Sequence, residues 1–116
     1  MQTARRWLMA QDDRAVLEAA RAAGRLGERA TLLQFSSAFC QPCRAARRVL
    51  GQVADMVPGV AQLEVDAESR PALAARLGIE GTPTVFVLDS RGRTVRRAQG
   101  VPRKADVIAA LGEAVA

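Results

Sequence analysis

The sequence predicts an α/β domain whose mixed sheet is covered by helices on both faces. Strand-like and helical runs alternate along the 116 residues without internal repeats or low-complexity linkers. A strand–helix–strand unit at residues 31–66 is followed by a hairpin at 84–98 and a closing helix at 103–115. Because 116 residues is close to the usual size of one domain, we expect a single hydrophobic core.

The first half of the chain contains two helices and two strands. Residues 1–11 are ambiguous and are assigned to a short edge strand or an N-terminal arm, so the domain itself spans 12–116. Asp12 or Asp13 is predicted to cap a helix that runs to about Ala23. The elements that follow are a strand at 31–36, a helix at 44–57 and a strand at 60–66.

The second half of the chain contains a helix, a hairpin and the closing helix. Ser69 is predicted to cap the first of these helices, with Pro71 in its first turn. The hairpin consists of strands at 84–88 and 93–98, and Arg96-Arg97 mark the second of these as an edge strand. The closing helix is expected to bury Val107, Ile108 and Leu111.

The charge distribution argues against a nucleic-acid partner. The formal net charge is +5, and Lys104 is the only lysine beside many arginines. These arginines are scattered, and aromatic residues make up only 3% of the chain, which leaves little for base stacking. We therefore expect a solvated basic surface.

The N-terminal residues do not form a convincing targeting signal. Arg5-Arg6 is followed by only four apolar residues before Gln11-Asp12-Asp13 interrupts the run. Such a run is too short for a signal peptide or a membrane span. As written, the chain is expected to be cytoplasmic; a removed leader would instead make it membrane-anchored or extracytoplasmic.

Cys40-Gln41-Pro42-Cys43 holds the only two cysteines, between the predicted strand at 31–36 and the helix at 44–57. A cysteine at the start of a helix meets unpaired backbone N–H groups and the positive end of the helix dipole. This environment favours the thiolate, which is the form that attacks disulfides. Pro42 is tolerated in the first helical turn, and Arg44 adds positive charge. The spacing therefore predicts redox chemistry.

Two other interpretations of the cysteine pair remain open from the residues alone. A structural zinc site needs four ligands, and with no histidine and no further cysteine a second chain would have to complete it. A purely structural disulfide would close a very short loop, and such a loop stabilises a fold little. Both are less favoured than a redox-active dithiol.

Three features together resemble the thioredoxin superfamily. They are the strand–C-x-x-C–helix unit, Gly81-Thr82-Pro83 before the strand at 84–88, and Gly100 before the last helix. The resemblance covers about residues 12–114 and implies the thioredoxin fold, with a mixed sheet of four to five strands. It also implies a cis peptide bond before Pro83, which would pack beside the disulfide.

The resemblance assigns roles to individual residues. It implies that Cys40 is the nucleophile that forms a mixed disulfide with the substrate, and that Cys43 is the more buried, resolving thiol. The Thr82 backbone would pair with an extended substrate segment. For Pro83 and Gly100, a simple turn proline and a strand-terminating glycine are the alternatives. The implied docking surface consists of Phe39, Gln41, Pro42, Thr82, Pro83, Gly100 and Val101.

The chain departs from thioredoxins proper at residues that tune the site. Gln34 and Gln62 stand where the family has a buried aspartate and a nearby lysine, a pair that assists proton transfer at the resolving cysteine. Ser36 replaces a tryptophan, Gln41 a glycine and Arg48 a proline. We expect a divergent branch, in which the glutamines either maintain polar packing or tune the protein away from fast reduction of many substrates.

The resulting prediction is a thiol–disulfide oxidoreductase that exchanges its Cys40-Cys43 pair with protein substrates. The resemblance implies that the redox-active disulfide is the only redox group, with no bound cofactor and no metal. Electrons would come from a reductase or a membrane thiol carrier, and we expect a monomer. The alternative is a redox-switched binding or sensing module without turnover.

Overall fold

The computed structural model describes the backbone of residues 2–116 and the side chains of residues 13–116. The described part of the chain contains four helices and four strands. In chain order these are α1 (Gln2–Ala23), β1 (Ala30–Ser36), α2 (Gln41–Met56), β2 (Val60–Asp66), α3 (Pro71–Arg76), β3 (Thr84–Asp89), β4 (Thr94–Gln99) and α4 (Lys104–Val115).

The four strands form one mixed sheet in the order β2-β1-β3-β4. Strands β1 and β2 are parallel, whereas β3 is antiparallel to both β1 and β4. This confirms the predicted mixed sheet, with four strands over residues 2–116. The C-terminal ends of β1 and β2 lie at the same end of the sheet, where Ser36 pairs with Asp66. The cysteine loop follows β1 at this end.

Residues 2–11 continue α1 as helix, which corrects the prediction of an edge strand. The segment 2–22 contains neither glycine nor proline and is rich in Ala, Arg, Leu and Gln, all of which favour helix. Asp13 therefore lies inside the helix and does not cap it. Its carboxylate instead accepts a hydrogen bond from the backbone N–H of Thr94 at 3.2 Å, which ties α1 to β4.

Alternation along β1 divides the core into two layers. Leu33 and Phe35 face α1 and α3, whereas Leu32 faces α2 and α4, and all three are fully buried. Phe35 packs edge-to-face on Phe86 of β3, with ring centroids 5.5 Å apart. The first layer is completed by Ala15, Val16, Ala19, Ala20, Val65, Leu77 and Leu88. The second is completed by Leu50, Val53, Val85, Val87, Val107, Ala110 and Leu111.

Two finer predictions about the helices are wrong. The Ser69 hydroxyl donates to the Asp66 carbonyl, so it serves the preceding turn and leaves α3 without a side-chain cap. In α4, Ile108 is 40% exposed, because the buried face follows Val107, Ala110 and Leu111 at spacings of three and four residues.

Strand β4 is an edge strand, as its two arginines predict. They lie on opposite faces of the strand. Arg96 forms an ion pair with Glu113 of α4. The Arg97 guanidinium lies over the Phe86 ring, 5.1 Å from its centroid, and donates to the carbonyls of Leu77 and Gly78. In the described part of the chain, no helix has both the length and the apolar character needed to cross a membrane.

Candidate active site

Cys40 and Cys43 form a disulfide at the N-terminus of α2. Cys40 is the residue that caps the helix, and its sulfur accepts a hydrogen bond from the backbone N–H of Cys43 at 3.1 Å. Pro42 in the first turn leaves this arrangement undisturbed, because the first N–H groups of a helix have no partner within the helix. Cys40 is half-buried, whereas Cys43 is only 1% exposed. The two sulfurs therefore differ in their access to a substrate.

The segment before β3 lies against the exposed cysteine. The peptide bond between Thr82 and Pro83 is cis, and Pro83 is buried. The Cys40 sulfur lies 3.8 Å from the Thr82 hydroxyl oxygen and 3.9 Å from the Thr82 carbonyl oxygen. Gly100, at φ +86°, donates its N–H to the Pro83 carbonyl at 2.8 Å, and Val101 beside it is 44% exposed. The fold thus brings these predicted docking residues to one place.

The loop before Cys40 presents an aromatic side chain to solvent. Phe39 is fully exposed, and its backbone has φ +56°, an uncommon conformation for a residue other than glycine. The backbone N–H of Ala38 donates to the Glu68 carboxylate at 2.7 Å, which holds the loop from the β2–α3 side. Gln41 and Pro42 are exposed in the following helical turn. The predicted docking residues on the cysteine side are therefore accessible.

Gln34 lies directly behind the buried cysteine. Its side-chain amide nitrogen donates to the Cys43 carbonyl and to the Ser36 hydroxyl, both at 2.9 Å, and the residue is 1% exposed. The amide oxygen is buried and has no hydrogen-bond partner within residues 13–116. Gln34 therefore fixes the start of α2 to the sheet.

Gln62 does not pair with Gln34. Its side chain is exposed and its amide nitrogen donates to the carbonyl of Arg47 at 2.9 Å, one helical turn after Cys43. The two glutamines thus hold successive turns of α2 against neighbouring strands. The expectation that they maintain polar packing agrees with these contacts, whereas the contacts do not link them as a proton-transfer pair.

An ion pair lies beside this polar layer, and sequence reasoning missed it. Arg47 binds Glu64 of β2 with two hydrogen bonds of 2.7 and 2.6 Å. The hydrogen bond from Arg47 lowers the pKa of Glu64, while partial burial opposes the shift and the Ser36 hydroxyl adds to it. The period of two along each strand was the available signal, because it places Gln34, Ser36 and Glu64 on the face that α2 covers.

Two further residues lie close to Cys40, and sequence reasoning singled out only the first of them. Arg44 is exposed and contributes its backbone N–H to the Cys40 carbonyl at 3.3 Å; its side chain enters no ion pair with the described residues. Ser37, which sequence reasoning did not single out, lies with its hydroxyl 2.7 Å from the Thr82 hydroxyl. The site therefore contains a hydroxyl pair beside Cys40 that no motif would have revealed.

A redox-active cysteine pair at a helix N-terminus, beside a cis-proline segment and in this four-stranded fold, defines a thiol–disulfide oxidoreductase with a thioredoxin fold. No cluster of metal-binding side chains is found in the part of the chain that the structure describes. The chain belongs to the thioredoxin family, because the sequence profile described as Thioredoxin matches residues 21–113.

Individual relatives agree with this assignment. The chain is 32% identical to a thioredoxin of Chlamydia trachomatis over 77 residues, which are 66% of this chain and 74% of that protein. It is 31% identical to a thioredoxin of Mycolicibacterium smegmatis over 88 residues, 72% of this chain and 77% of the relative. It is 30% identical to the H-type thioredoxin 1 of Nicotiana tabacum over 73 residues, but these cover 63% of this chain and only 57% of that protein.

Solved structures show the same fold. A chloroplastic thioredoxin z superimposes with a TM-score of 0.67 at 28% identity, over 84% of this chain and 85% of the other. A thioredoxin variant of Halobacterium salinarum gives a TM-score of 0.66 at 21% identity, covering 77% of each chain.

Proposed function

We propose that this chain exchanges disulfides with extended segments of other proteins, with Cys40 as the attacking thiol and Cys43 as the resolving thiol. One observation carries the proposal, which is the asymmetry of the pair: Cys40 is half-buried at the surface, and Cys43 is 1% exposed beneath it. A substrate sulfur reaches the accessible cysteine first, and the buried one acts only within the molecule.

In the direction of substrate reduction, the reaction has two exchange steps. The Cys40 thiolate attacks one sulfur of the substrate disulfide, so that a Cys40–substrate bond forms, the substrate disulfide breaks and the departing thiolate takes up a proton. Cys43 then loses its proton and attacks the Cys40 sulfur. The Cys40-Cys43 disulfide forms and the second substrate thiolate leaves, so the substrate gains the two electrons that the protein loses.

The surroundings of Cys40 suit this chemistry. The backbone N–H of Cys43 already points at its sulfur, and the helix dipole adds positive potential at the same place. We therefore expect the pKa of Cys40 to lie below the free-thiol value of about 8.5. Substrate would lie over Phe39 and along the Thr82 backbone, close to Gly100 and Val101.

The finer parts of the proposal concern partners. The dithiol itself carries the electrons, so the reaction needs no other cofactor, and a protein reductase or a membrane thiol carrier would return the pair to the reduced state. A single copy of the chain presents both cysteines and the docking residues, which favours action as a monomer.

A trapping experiment tests the order of attack. Cys43→Ser removes the resolving thiol and leaves Cys40 and its surroundings in place, so mixed disulfides at Cys40 should persist until a reductant is added. Cys40→Ser is the matched control and should trap far fewer partners, because Cys43 is buried. Covalent complexes would be counted on non-reducing gels after incubation with a cell extract and with an unfolded, disulfide-containing protein.

Turnover is measured separately, as reduction of insulin disulfides driven by a dithiol. The wild-type protein should turn over, and both single-cysteine variants should be inactive. Trapping by Cys40→Ser in preference to Cys43→Ser would reverse the assignment of the two thiols. Wild-type protein that binds partners in one redox state only, without turnover and without trapping, would favour the redox-switched binding module.

A further inference from the structure

Thr82 presents two opposing groups to the Cys40 sulfur. Its carbonyl oxygen, 3.9 Å away, is an acceptor that a reduced thiol can donate to, and this contact favours the neutral thiol. Its hydroxyl oxygen, 3.8 Å away, can donate a proton to the sulfur, and this contact favours the thiolate. The direction in which the Thr82 hydroxyl points therefore bears on the charge of the nucleophile.

Ser37 lies where it can set that direction. The Ser37 and Thr82 hydroxyl oxygens are 2.7 Å apart, a strong hydrogen bond in which one of the two must donate. The Thr82 hydroxyl has a single proton. If Thr82 donates to Ser37, that proton points away from Cys40; if Ser37 donates, the Thr82 proton is free to point at the sulfur. A charged sulfur is the stronger acceptor, so formation of the thiolate favours the second arrangement.

We propose that Ser37 is a positioning residue for Cys40: its hydroxyl donates to the Thr82 oxygen and thereby directs the Thr82 proton to the Cys40 thiolate. The Thr82 hydroxyl and the Cys43 backbone N–H then both donate to the nucleophile, and Ser37 acts only through Thr82. This inference refines the proposed function, since it concerns the reactivity of the same cysteine.

The charged groups around Cys40 explain why such donors matter. Glu68 and Glu80 line a cleft of about 380 Å³ together with Ser37 and Thr82, so the carboxylates on this side of the site do not favour a negative sulfur. On α2, Arg44 favours the thiolate, but its side chain is exposed and its charge is screened by water and salt. The Thr82 hydroxyl and the Cys43 N–H donate at contact distance from the sulfur, so these hydrogen bonds are less affected by this screening.

The hydroxyl pair also joins the two segments that carry the site. Ser37 belongs to the loop that leads from β1 to Cys40, which Glu68 holds through the Ala38 N–H. Thr82 precedes Pro83, and the Thr84 hydroxyl fixes this segment by donating to the Gly81 carbonyl at 2.7 Å. Because both segments are held independently, the hydroxyl contact is preorganised and does not have to be assembled when substrate arrives.

The test measures the pKa of Cys40 without any substrate protein. In the Cys43→Ser background only one thiol remains, and its rate of alkylation by iodoacetamide is followed as a function of pH. We expect Ser37→Ala to raise the pKa of Cys40 by about half a unit, because the Thr82 hydroxyl loses the donor that polarises and orients it. This shift is about a threefold loss of thiolate below the pKa. Ser37→Thr, which keeps a hydroxyl, should restore the original value. Ser90→Ala, in the exposed hairpin turn, is the matched control and should have no effect.

A double-mutant cycle separates positioning from a direct effect. Thr82→Val should raise the pKa of Cys40 at least as much as Ser37→Ala, and adding Ser37→Ala to Thr82→Val should change nothing more. An unchanged pKa in Ser37→Ala, or shifts of the two variants that simply add, would overturn the proposal. Urea unfolding of each variant identifies a general loss of structure. Because alkylation needs neither substrate nor turnover, failure of this test is distinct from failure of the trapping experiment.

Discussion

At the scale of single residues, Gln34 places an uncharged amide behind the resolving cysteine. Its amide donates to the Cys43 carbonyl and to Ser36, and a glutamine cannot accept the proton that Cys43 must lose. The proton of the resolving thiol therefore leaves by another route. Introducing a carboxylate at position 34 tests how such a group changes turnover and stability.

Gln34→Asp should increase turnover near neutral pH and decrease stability. A buried aspartate that faces the Cys43 carbonyl has its pKa raised above the ordinary value of about 3.9, because burial disfavours its charged form. A pKa raised by folding means that the folded state binds the proton more tightly. Stability therefore falls as pH rises from the unfolded pKa to the folded pKa. We expect the free energy of unfolding to fall by about 2 kcal/mol or more near pH 8, measured by urea unfolding. Turnover, measured as insulin reduction, should be faster than in the wild type.

Gln34→Asn is the matched control for this change. It has the length of aspartate and no charge, so any loss of stability should be the same at about pH 5 and pH 8. If the two variants showed the same pH dependence of unfolding and the same turnover, a carboxylate at position 34 would have no part in proton transfer at Cys43.

At the scale of elements, the β3–β4 hairpin depends on a glycine that contacts a helix. Gly92 has φ +83°, and a β-carbon at this position would collide with the Leu17 side chain of α1. Gly100 has nearly the same backbone angle, φ +86°, but lies in open space. Comparing substitutions at Gly92 and Gly100 therefore separates the cost of backbone strain from the cost of displaced packing.

We expect Gly92→Ala to destabilise the fold clearly more than Gly100→Ala. Left-handed strain alone costs roughly 1–2 kcal/mol, which is the expected loss for Gly100→Ala. Gly92→Ala adds displacement of Leu17 to the same strain. Gly112→Ala, in the exposed face of α4, should instead stabilise by up to about 1 kcal/mol, since alanine favours helix. Equal losses for Gly92→Ala and Gly100→Ala in urea unfolding would mean that Leu17 moves aside freely.

The elements that could be predicted from the sequence are those whose pattern is strong by itself. The strand at 60–66 has the bounds of β2, and the hairpin and closing helix lie within one or two residues of their predicted bounds. Residues 2–11 could not be placed, because helix propensity without a clear apolar face does not distinguish a helix from an arm. Ile108 was misassigned because apolar character says nothing about which face of a helix packs.

The same distinction holds for the site. The cysteine pair and the Thr82-Pro83 segment could be predicted, because the fold needs those residue types at those spacings. Ser37, Glu68 and the Arg47–Glu64 pair act through side chains that meet only in three dimensions. No local pattern in the sequence reports the contacts of Ser37 and Glu68, which lie in loops. Alternation along β2 indicates the face on which Glu64 lies, but not its partner Arg47.

At the scale of the whole molecule, the charge balance determines how stability varies with pH. The chain has 17 basic and 12 acidic side chains and no histidine, so no side chain has an ordinary pKa between about 5 and 8 while the cysteines form a disulfide. Below that range the carboxylates become protonated, and the basic side chains are left without opposing charge. Acid should therefore destabilise the protein in two ways, by general repulsion and by loss of specific carboxylate contacts.

Among residues 13–116, two carboxylates have pKa values that folding lowers. For Glu64 the main cause is the hydrogen bond from Arg47, which outweighs partial burial. For Asp89, burial raises the pKa, but hydrogen bonds from the backbone N–H groups of Arg93 and Arg91 and from the Arg93 side chain outweigh it. A pKa lowered by folding gives stability that is present above the unfolded values, 4.5 and 3.8, and is lost as pH falls through the folded values.

The oxidised protein should therefore show nearly constant stability between about pH 5.5 and pH 8 and lose stability below about pH 4.5. Glu64→Gln should cost less than about 1 kcal/mol near neutral pH, because side chains that are 49% and 35% exposed make a screened pair. Glu64→Gln should also reduce the loss of stability at acid pH, since the variant no longer has a Glu64 carboxylate whose contact protonation would break. Asp55→Asn is the control, because Asp55 is exposed and forms no ion pair with residues 13–116. Urea unfolding from about pH 3 to pH 8 measures all three proteins. An acid loss of the same size in Glu64→Gln and wild type would show that general repulsion, and not the Arg47–Glu64 contact, sets the acid limit of this fold.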